Sequence, residues 1–314
     1  MAKRLITALG LVVLVATLNF AIVHLTPGGP ETVFLDNPRI TAEARATILK
    51  SFGLDKPIQE QYVIYLTGML TGNWGASFFY DVPAFDVIAQ RVTATLLLMV
   101  PSVTLTILIG ILLGVLCARK PFSRFDRFLS SLVFFFHAMP AFWLGFILLT
   151  VFVLFLRVMP AAGMASVTES HFNFLDFLRH LILPMTTLTL VNLANFMLLV
   201  RSSLMEVLDQ NYIMTARGKG LPEQIVFYRH ALRNAILPTV TMAGLYAGII
   251  LGGAVLTETV FSWPGLGSLT FDSILRRDYP LILSLFFIFS IMMIASNLVT
   301  DIIYGFLDPR ITYD

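Results

Sequence analysis

Apolar residues fill this chain in long runs, broken by short clusters rich in Arg, Lys, Gly and Pro. A bilayer core about 30 Å thick takes about 20 apolar residues at roughly 1.5 Å of rise each. Six runs reach that length, at about 5–25, 96–118, 132–156, 183–200, 235–261 and 281–306, with the fourth helix extending to about 205. The pattern predicts an all-α integral membrane protein with six transmembrane helices. The first run follows Lys3 and Arg4, as a signal peptide would. Signal h-regions span only about 7–15 residues, and this run is longer, with no clear small-residue cleavage site behind it. A retained helix over 1–25 is the favoured reading.

A more polar stretch, 26–95, separates the first two runs. It opens on Thr26-Pro27-Gly28-Gly29-Pro30, which cannot continue a helix. Thr41 suits an N-cap, and Ile40, Ala44, Ile48 and Phe52 recur every four residues until Gly53 stops the pattern. A second helix is predicted with Ile58, Tyr62, Tyr65, Leu66, Met69 and Leu70 on one face, ending at Gly72. Two short amphipathic helices cannot bury these faces alone. They are expected to pack on the outer mouth of the membrane domain; the alternative is a pair of helices lying on lipid, which their weakly basic polar faces do not favour.

Composition agrees with the pattern and excludes other classes. The chain is 57% hydrophobic and 13% charged, with mean hydropathy +0.83, against about 25% charged residues in soluble domains. A formal net charge of +2 argues against a nucleic-acid partner. Cys117 is the only cysteine, so no intrachain disulfide can form. The position of the charges says more. With the N-terminus inside, the inner loops hold Arg119, Lys120, Arg124 and Arg127, then Arg217, Lys219, Arg229 and Arg233. The short outer loops hold Arg157 and Arg179, then Arg276 and Arg277, offset by Glu169 and Asp176, then Asp272 and Asp278. The positive-inside bias therefore puts both termini, including the tail 308–314, in the cytoplasm.

The inner segment 206–234 has a character of its own. Gly218 and Gly220 each disfavour helix by about 1 kcal/mol, and Pro222 suits the first turn of a new one. Glu223 then lies at the positive end of that helix, with Arg229, His230 and Arg233 towards its negative end. The reading is helix, break, helix, with a small-residue corner that a partner's groove could receive. An ordinary basic loop obeying the positive-inside rule explains the same residues equally well.

Tyr212-Ile213-Met214-Thr215-Ala216-Arg217-Gly218-Lys219-Gly220, followed by His230-Ala231-Leu232-Arg233-Asn234-Ala235-Ile236-Leu237-Pro238, resembles the "EAA loop" of bacterial ABC importer permeases. The form is that of the oligopeptide/dipeptide/nickel branch. Phe261-Ser262-Trp263-Pro264-Gly265-Leu266-Gly267 with Arg276-Arg277-Asp278-Tyr279-Pro280 is similar to that family's last outer loop. Asn297-Leu298-Val299-Thr300-Asp301 with Asp308-Pro309-Arg310 resembles its C-terminal end. Gly53-Leu54-Asp55-Lys56-Pro57 and Gly72-Asn73-Trp74-Gly75-Ala76-Ser77 resemble the outer segment of its dipeptide-permease-B-like subunit. Two departures from the general importer pattern, both usual in the peptide branch, are Met214 in place of the naming Glu and a longer spacing from Gly220 to Pro238.

The resemblance implies a type I importer core over 95–307 in the inner (plasma) membrane, pairing with a paralogous permease subunit. It implies one or two ABC ATPase subunits docked at a helix over 215–222, with Met214, Thr215, Ala216, Arg217, Lys219, Gly220, Leu221 and Pro222 as the coupling residues. An extracytoplasmic solute-binding protein would deliver di- or oligopeptides; nickel or other metal chelates and oligosaccharides are the alternatives within the branch. ATP and Mg would bind on the ATPase subunits, and this chain would hold no cofactor or metal. Gly218-Lys219-Gly220 lacks the loop and the hydroxyl of a Walker A motif, so no nucleotide chemistry is expected here.

Two rival classes remain to be weighed. An ion-coupled secondary transporter needs titratable groups near mid-membrane, whereas Arg201, Glu258 and Asp301 sit near span ends. An intramembrane enzyme would show H-E-x-x-H or G-x-S-x-G, and His24, His137 and His180 have no evident nucleophile or ligand partners. Glu258 remains the one candidate for the translocation path or for a bond to the partner permease. A carboxylate at a span centre costs about 2.5–3.5 kcal/mol, so it should face protein or water unless it snorkels to the headgroups.

Overall fold

The computed structural model of the chain describes residues 2–25, 49–50, 53–166, 173–250 and 254–307, and within these it is built of helices. In chain order they are α1 (Ala2–Leu25), α2 (Ile58–Thr71), α3 (Ala84–Arg119), α4 (Arg124–His137), α5 (Ala141–Leu149), which runs into a π-helical stretch Thr150–Phe155, and α6 (Phe174–Leu208). Then come α7 (Asn211–Gly218), α8 (Glu223–Ile225, extended by a π-helical turn Val226–Ala231 and by Leu232–Ala235), α9 (Leu237–Ile249), α10 (Val255–Val260), α11 (Leu266–Leu275) and α12 (Tyr279–Leu307).

Among the described residues, four helices are long and apolar enough to cross a membrane unaided, over Thr7–Leu25, Ala84–Arg119, Phe174–Leu208 and Tyr279–Leu298. α3 and α6 begin well before the apolar runs that revealed them. At about 1.5 Å per residue, the 36-residue α3 is about 54 Å long and must project from a core about 30 Å thick.

The third run differs from expectation. It is not one helix over 132–156 but two, α4 and α5, bent by 97° at Ala138-Met139-Pro140. Pro140 lacks an N–H, and its ψ of 131° sends the chain extended before α5 starts. α4 also starts earlier than expected, because Ser123 caps it by accepting from the Asp126 amide. At the bend, His137 Nδ1 lies 2.7 Å from the Val191 carbonyl of α6. The fifth run, 235–261, likewise falls into α9 and α10, with 251–253 outside the described residues.

In the segment after α1, the helix expected to start at Thr41 lies largely outside the described residues. Its end is visible: Leu49 and Lys50 are helical, and Gly53 closes the turn at φ +67°, with Leu54 N donating to Leu49 O at 2.9 Å. α2 forms where the periodicity put it and stops at Gly72, whose φ of +86° is left-handed. It packs on α1 and α12 through Tyr65, Leu66 and Met69 against Ala16, Val23, Leu283 and Phe287. Tyr62 and Thr17 share a 2.8 Å hydrogen bond, and His24 Nε2 meets Gln61 Oε1 at 3.2 Å.

The centre of the molecule is the α3–α6 pair. Gly110 and Gly114 of α3 face Phe196, Met197 and Val200 of α6 so closely that a Cβ on Gly110 would stand 2.5 Å from Phe196 Cβ. Helices in lipid gain affinity from such close packing, because there is no hydrophobic effect between them. Hydroxyls in these spans are returned to the backbone: Ser102 donates to Leu98 O at 2.6 Å, and Thr187 to Leu183 O at 2.9 Å.

Candidate functional site: the corner between α7 and α8

α7 and α8 make the corner read in the sequence. Ile213 and Ala216, three residues apart on α7, lie on its inner face. They join Val226, Phe227, Ala231 and Ala235 of α8, Val115 and Ala118 of α3, and Val200 and Leu204 of α6 in one buried cluster. The corner is thus seated on the central helix pair.

The residues expected to couple to an ATPase then sort by exposure. Met214, Thr215, Arg217, Lys219, Gly220, Leu221 and Pro222 face outwards, whereas Ala216 is in the core. Ala216 therefore supports the corner from within and is not part of its exposed face. The stretch 215–222 is not a helix throughout either. α7 ends at Gly218, Gly220 turns the chain at φ +77° with its N–H on Arg217 O at 2.9 Å, and Pro222 is extended before α8. Pro222 thus stands at the N-cap of α8, one position earlier than expected. A Cβ placed on Gly218 or Gly220 would meet nothing within 4 Å. Glycine at 220 answers to backbone conformation and leaves a bare surface for whatever docks there.

An ion pair that the sequence did not reveal spans the corner. Arg217 donates to Glu223 through Nη2 at 2.8 Å and Nε at 3.2 Å. Hydrogen bonding to Arg217 holds the Glu223 carboxyl below its ordinary range and raises the guanidinium. Both groups are well exposed, so the pair fixes geometry more than it adds stability. Deeper in, Arg201 of α6 grips Asp126 of α4 bidentately, Nε to Oδ1 and Nη2 to Oδ2, both at 2.7 Å. Asp126 is 1% exposed and also accepts from the Phe122 amide at 2.7 Å.

Glu258 of α10 is fully buried within this chain. It accepts from Thr95 Oγ1 at 3.1 Å and from the Ser268 amide at 3.0 Å. Thr95 in turn accepts from the Leu266 amide at 2.7 Å, while Trp263 Nε1 donates to Ala94 O at 2.7 Å. A Cβ on Gly265 would stand 2.5 Å from both Glu258 Oε2 and Thr95 Oγ1, so this turn needs glycine for a carboxylate's approach. A second network joins two of the family-like motifs. Buried Asp278, before α12, accepts from Ser77 Oγ and from the amides of Phe78 at 3.0 Å and Phe79 at 3.2 Å. Arg276 stacks 3.6 Å from the Phe79 ring. Among the described residues, no group of three or more His, Cys, Asp or Glu could hold a metal ion.

Known proteins resemble this chain over most of its length. Residues 110–313 match the model of the binding-protein-dependent transport system inner membrane component, and residues 1–107 match the N-terminal model of the membrane components of such systems. The oligopeptide transport system permease protein AppB of Bacillus subtilis is 37% identical over 99% of this chain and 98% of its own. The dipeptide transport system permease protein DppB of Escherichia coli K12 is 37% identical over 100% and 99%. The di/tripeptide transport system permease protein DppB of Pseudomonas aeruginosa is 36% identical over 95% and 94%. In fold, a chain of the inward-facing MetNI methionine ABC transporter superposes with a TM-score of 0.57 at 16% identity, covering 71% of this chain and 97% of that one. This chain belongs to the family of binding-protein-dependent transport system inner membrane components.

Proposed function

We propose that this chain forms, with a paralogous permease subunit, the membrane path of an ATP-driven importer for di- or oligopeptides. Both termini would lie on the cytoplasmic side, and ABC ATPase subunits would dock on the α7–α8 corner. An extracytoplasmic solute-binding protein would bring the cargo to the opposite face. The observation that carries the reading is the joint one. The relatives named above are peptide permeases matched over nearly their whole length, and the corner offers an exposed, bare turn rooted in α3 and α6. The bent α4–α5 pair and the α9–α10 pair would complete six crossings. Glu258 serves the path by holding the Trp263–Ser268 turn, and not as a lining group.

The test is reconstitution. The chain is co-expressed with a paralogous permease and ABC ATPase subunits, purified through a tag on this chain, and placed in proteoliposomes with the binding protein. The ATPase should co-purify, and labelled dipeptide should accumulate only with ATP on the corner side. Uptake without ATP would refute the importer reading in favour of ion coupling. A nickel chelate or an oligosaccharide found by mass spectrometry on the binding protein would refute the peptide cargo alone.

A further inference from the structure

Where α8 passes into α9 there is a recess of about 610 Å³. Tyr212, Arg229, His230 and Arg233 line it together with Leu237 and Val240 from the first turn of α9. No Asp or Glu lines it. Arg217, at the corner, is paired with Glu223; among the described residues neither Arg229 nor Arg233 of the recess has an ion-pair partner. Asn234 Nδ2 donates to Tyr212 Oη at 2.9 Å, which leaves the Tyr212 hydroxyl hydrogen available to donate.

Cations that meet no acid over an apolar helix face match one kind of molecule. A soluble anion would satisfy the rim but leave Leu237 and Val240 wet. An amphiphile satisfies both at once, with phosphate on the guanidinium forks and an acyl chain along the helix. Basic pockets at the cytoplasmic ends of membrane helices recognise anionic headgroups in this manner. We propose that this recess is a binding site for an anionic phospholipid, with its phosphate between Arg229 and Arg233. The proposal rests on the reading above that α9 is in the membrane and α8 at its cytoplasmic surface.

The test uses the purified permease–ATPase complex in detergent, with lipid binding followed by native mass spectrometry. Phosphatidylglycerol, phosphatidylcholine and inorganic phosphate are the probes. Phosphatidylglycerol should bind in preference to phosphatidylcholine. Arg229→Gln with Arg233→Gln should weaken it roughly thirty-fold, equivalent to about 2 kcal/mol at about 1.4 kcal/mol per factor of ten. Arg124→Gln with Arg127→Gln removes the same charge from exposed positions on α4 and should leave binding unchanged. Equal loss in both double variants would overturn the site in favour of diffuse surface attraction. Equal binding of the two lipids would overturn it outright, and displacement of the lipid by inorganic phosphate would reassign it to a soluble anion. Lys219→Cys in a Cys117→Ser chain, expressed without the ATPase subunits, reports the orientation separately. Labelling by an impermeant maleimide from outside would sink the topology; labelling from inside, with no lipid preference, would sink this proposal alone.

Discussion

Replacing Gly220 in turn by Asn, Ala and Val separates the two reasons for a glycine at the corner. Its φ of +77° is left-handed, and an added Cβ would meet nothing within 4 Å of this chain. Within the subunit the cost is therefore conformational only. It comes to about 1–2 kcal/mol for a residue with a side chain, least for Asn, which tolerates this region, and most for β-branched Val. The corner is anchored independently by Ile213, Ala216, Val226 and Phe227, so a penalty of this size shifts the turn without unfolding the subunit. If an ATPase subunit presses on this turn, a second cost appears that depends on side-chain bulk and not on φ. Gly220→Asn then restores the backbone but still obstructs the contact, and Gly220→Ala does the reverse in milder form. The assay is recovery of the ATPase on membranes carrying each variant, followed by ATP-dependent uptake, with insertion and pairing checked by size exclusion. The expected order of ATPase recovery is wild type, Ala, Asn, Val. Wild-type recovery for Asn, with loss for Ala, would show that only conformation matters. Normal transport by Gly220→Val would refute the idea that this turn carries the coupling contact.

Further outcomes follow from the geometry of the supporting groups. Asp126→Ala leaves Arg201 near the apolar core without its acid and should lower the stability of the purified subunit by about 3 kcal/mol; adding Arg201→Leu should recover much of it in a denaturant titration. Gly114→Leu drives a side chain at Met197 O, 2.7 Å from the ideal Cβ, and should cost at least the roughly 1–3 kcal/mol of overpacking, read as loss of the folded peak in size exclusion. Glu258→Gln turns one carboxylate oxygen into an amide facing the donors of Thr95 and Ser268, and should cost about 1–3 kcal/mol in thermal unfolding. The depressed Glu223 carboxyl contributes above the ordinary carboxylate range and loses its contribution as pH falls through its lowered value. Amide exchange over 218–221, corrected for intrinsic rate, should thus differ between wild type and Glu223→Gln at neutral pH and converge in acid.

Hydropathy made the membrane helices legible because the signal is a sum over about 20 residues. The same summing hid the break in the third run. Pro140 stands in plain view, but Phe136, Met139, Phe142 and Trp143 around it keep any window apolar, so length alone read 132–156 as one helix. The corner was legible for a local reason: Gly218, Gly220 and Pro222 are close together, and each acts on its own backbone. Even the burial of Ala216 could have been read, since it lies one turn from Ile213. Pairs distant in sequence could not. Asp126 meets Arg201 across 75 positions and Ser77 meets Asp278 across 201, and nothing in either neighbourhood names the other.

What joins these pieces is α3. At one end its Val115 and Ala118 lie in the cluster that seats the α7–α8 corner. At the other, about 30–36 Å away at roughly 1.5 Å per residue, Ala94 and Thr95 hold Trp263 and the Glu258 turn. Gly110 and Gly114 lock the corner half of the same helix to α6. The corner and the Glu258 turn are thus joined through a single hydrogen-bonded rod. Pro101 is the one interruption in that rod, and it removes a backbone hydrogen bond between the two ends. Any bending of α3 between the corner and the Glu258 turn should therefore concentrate at the turn around Pro101, where Ser102 and Thr106 already redirect their hydroxyls to the backbone.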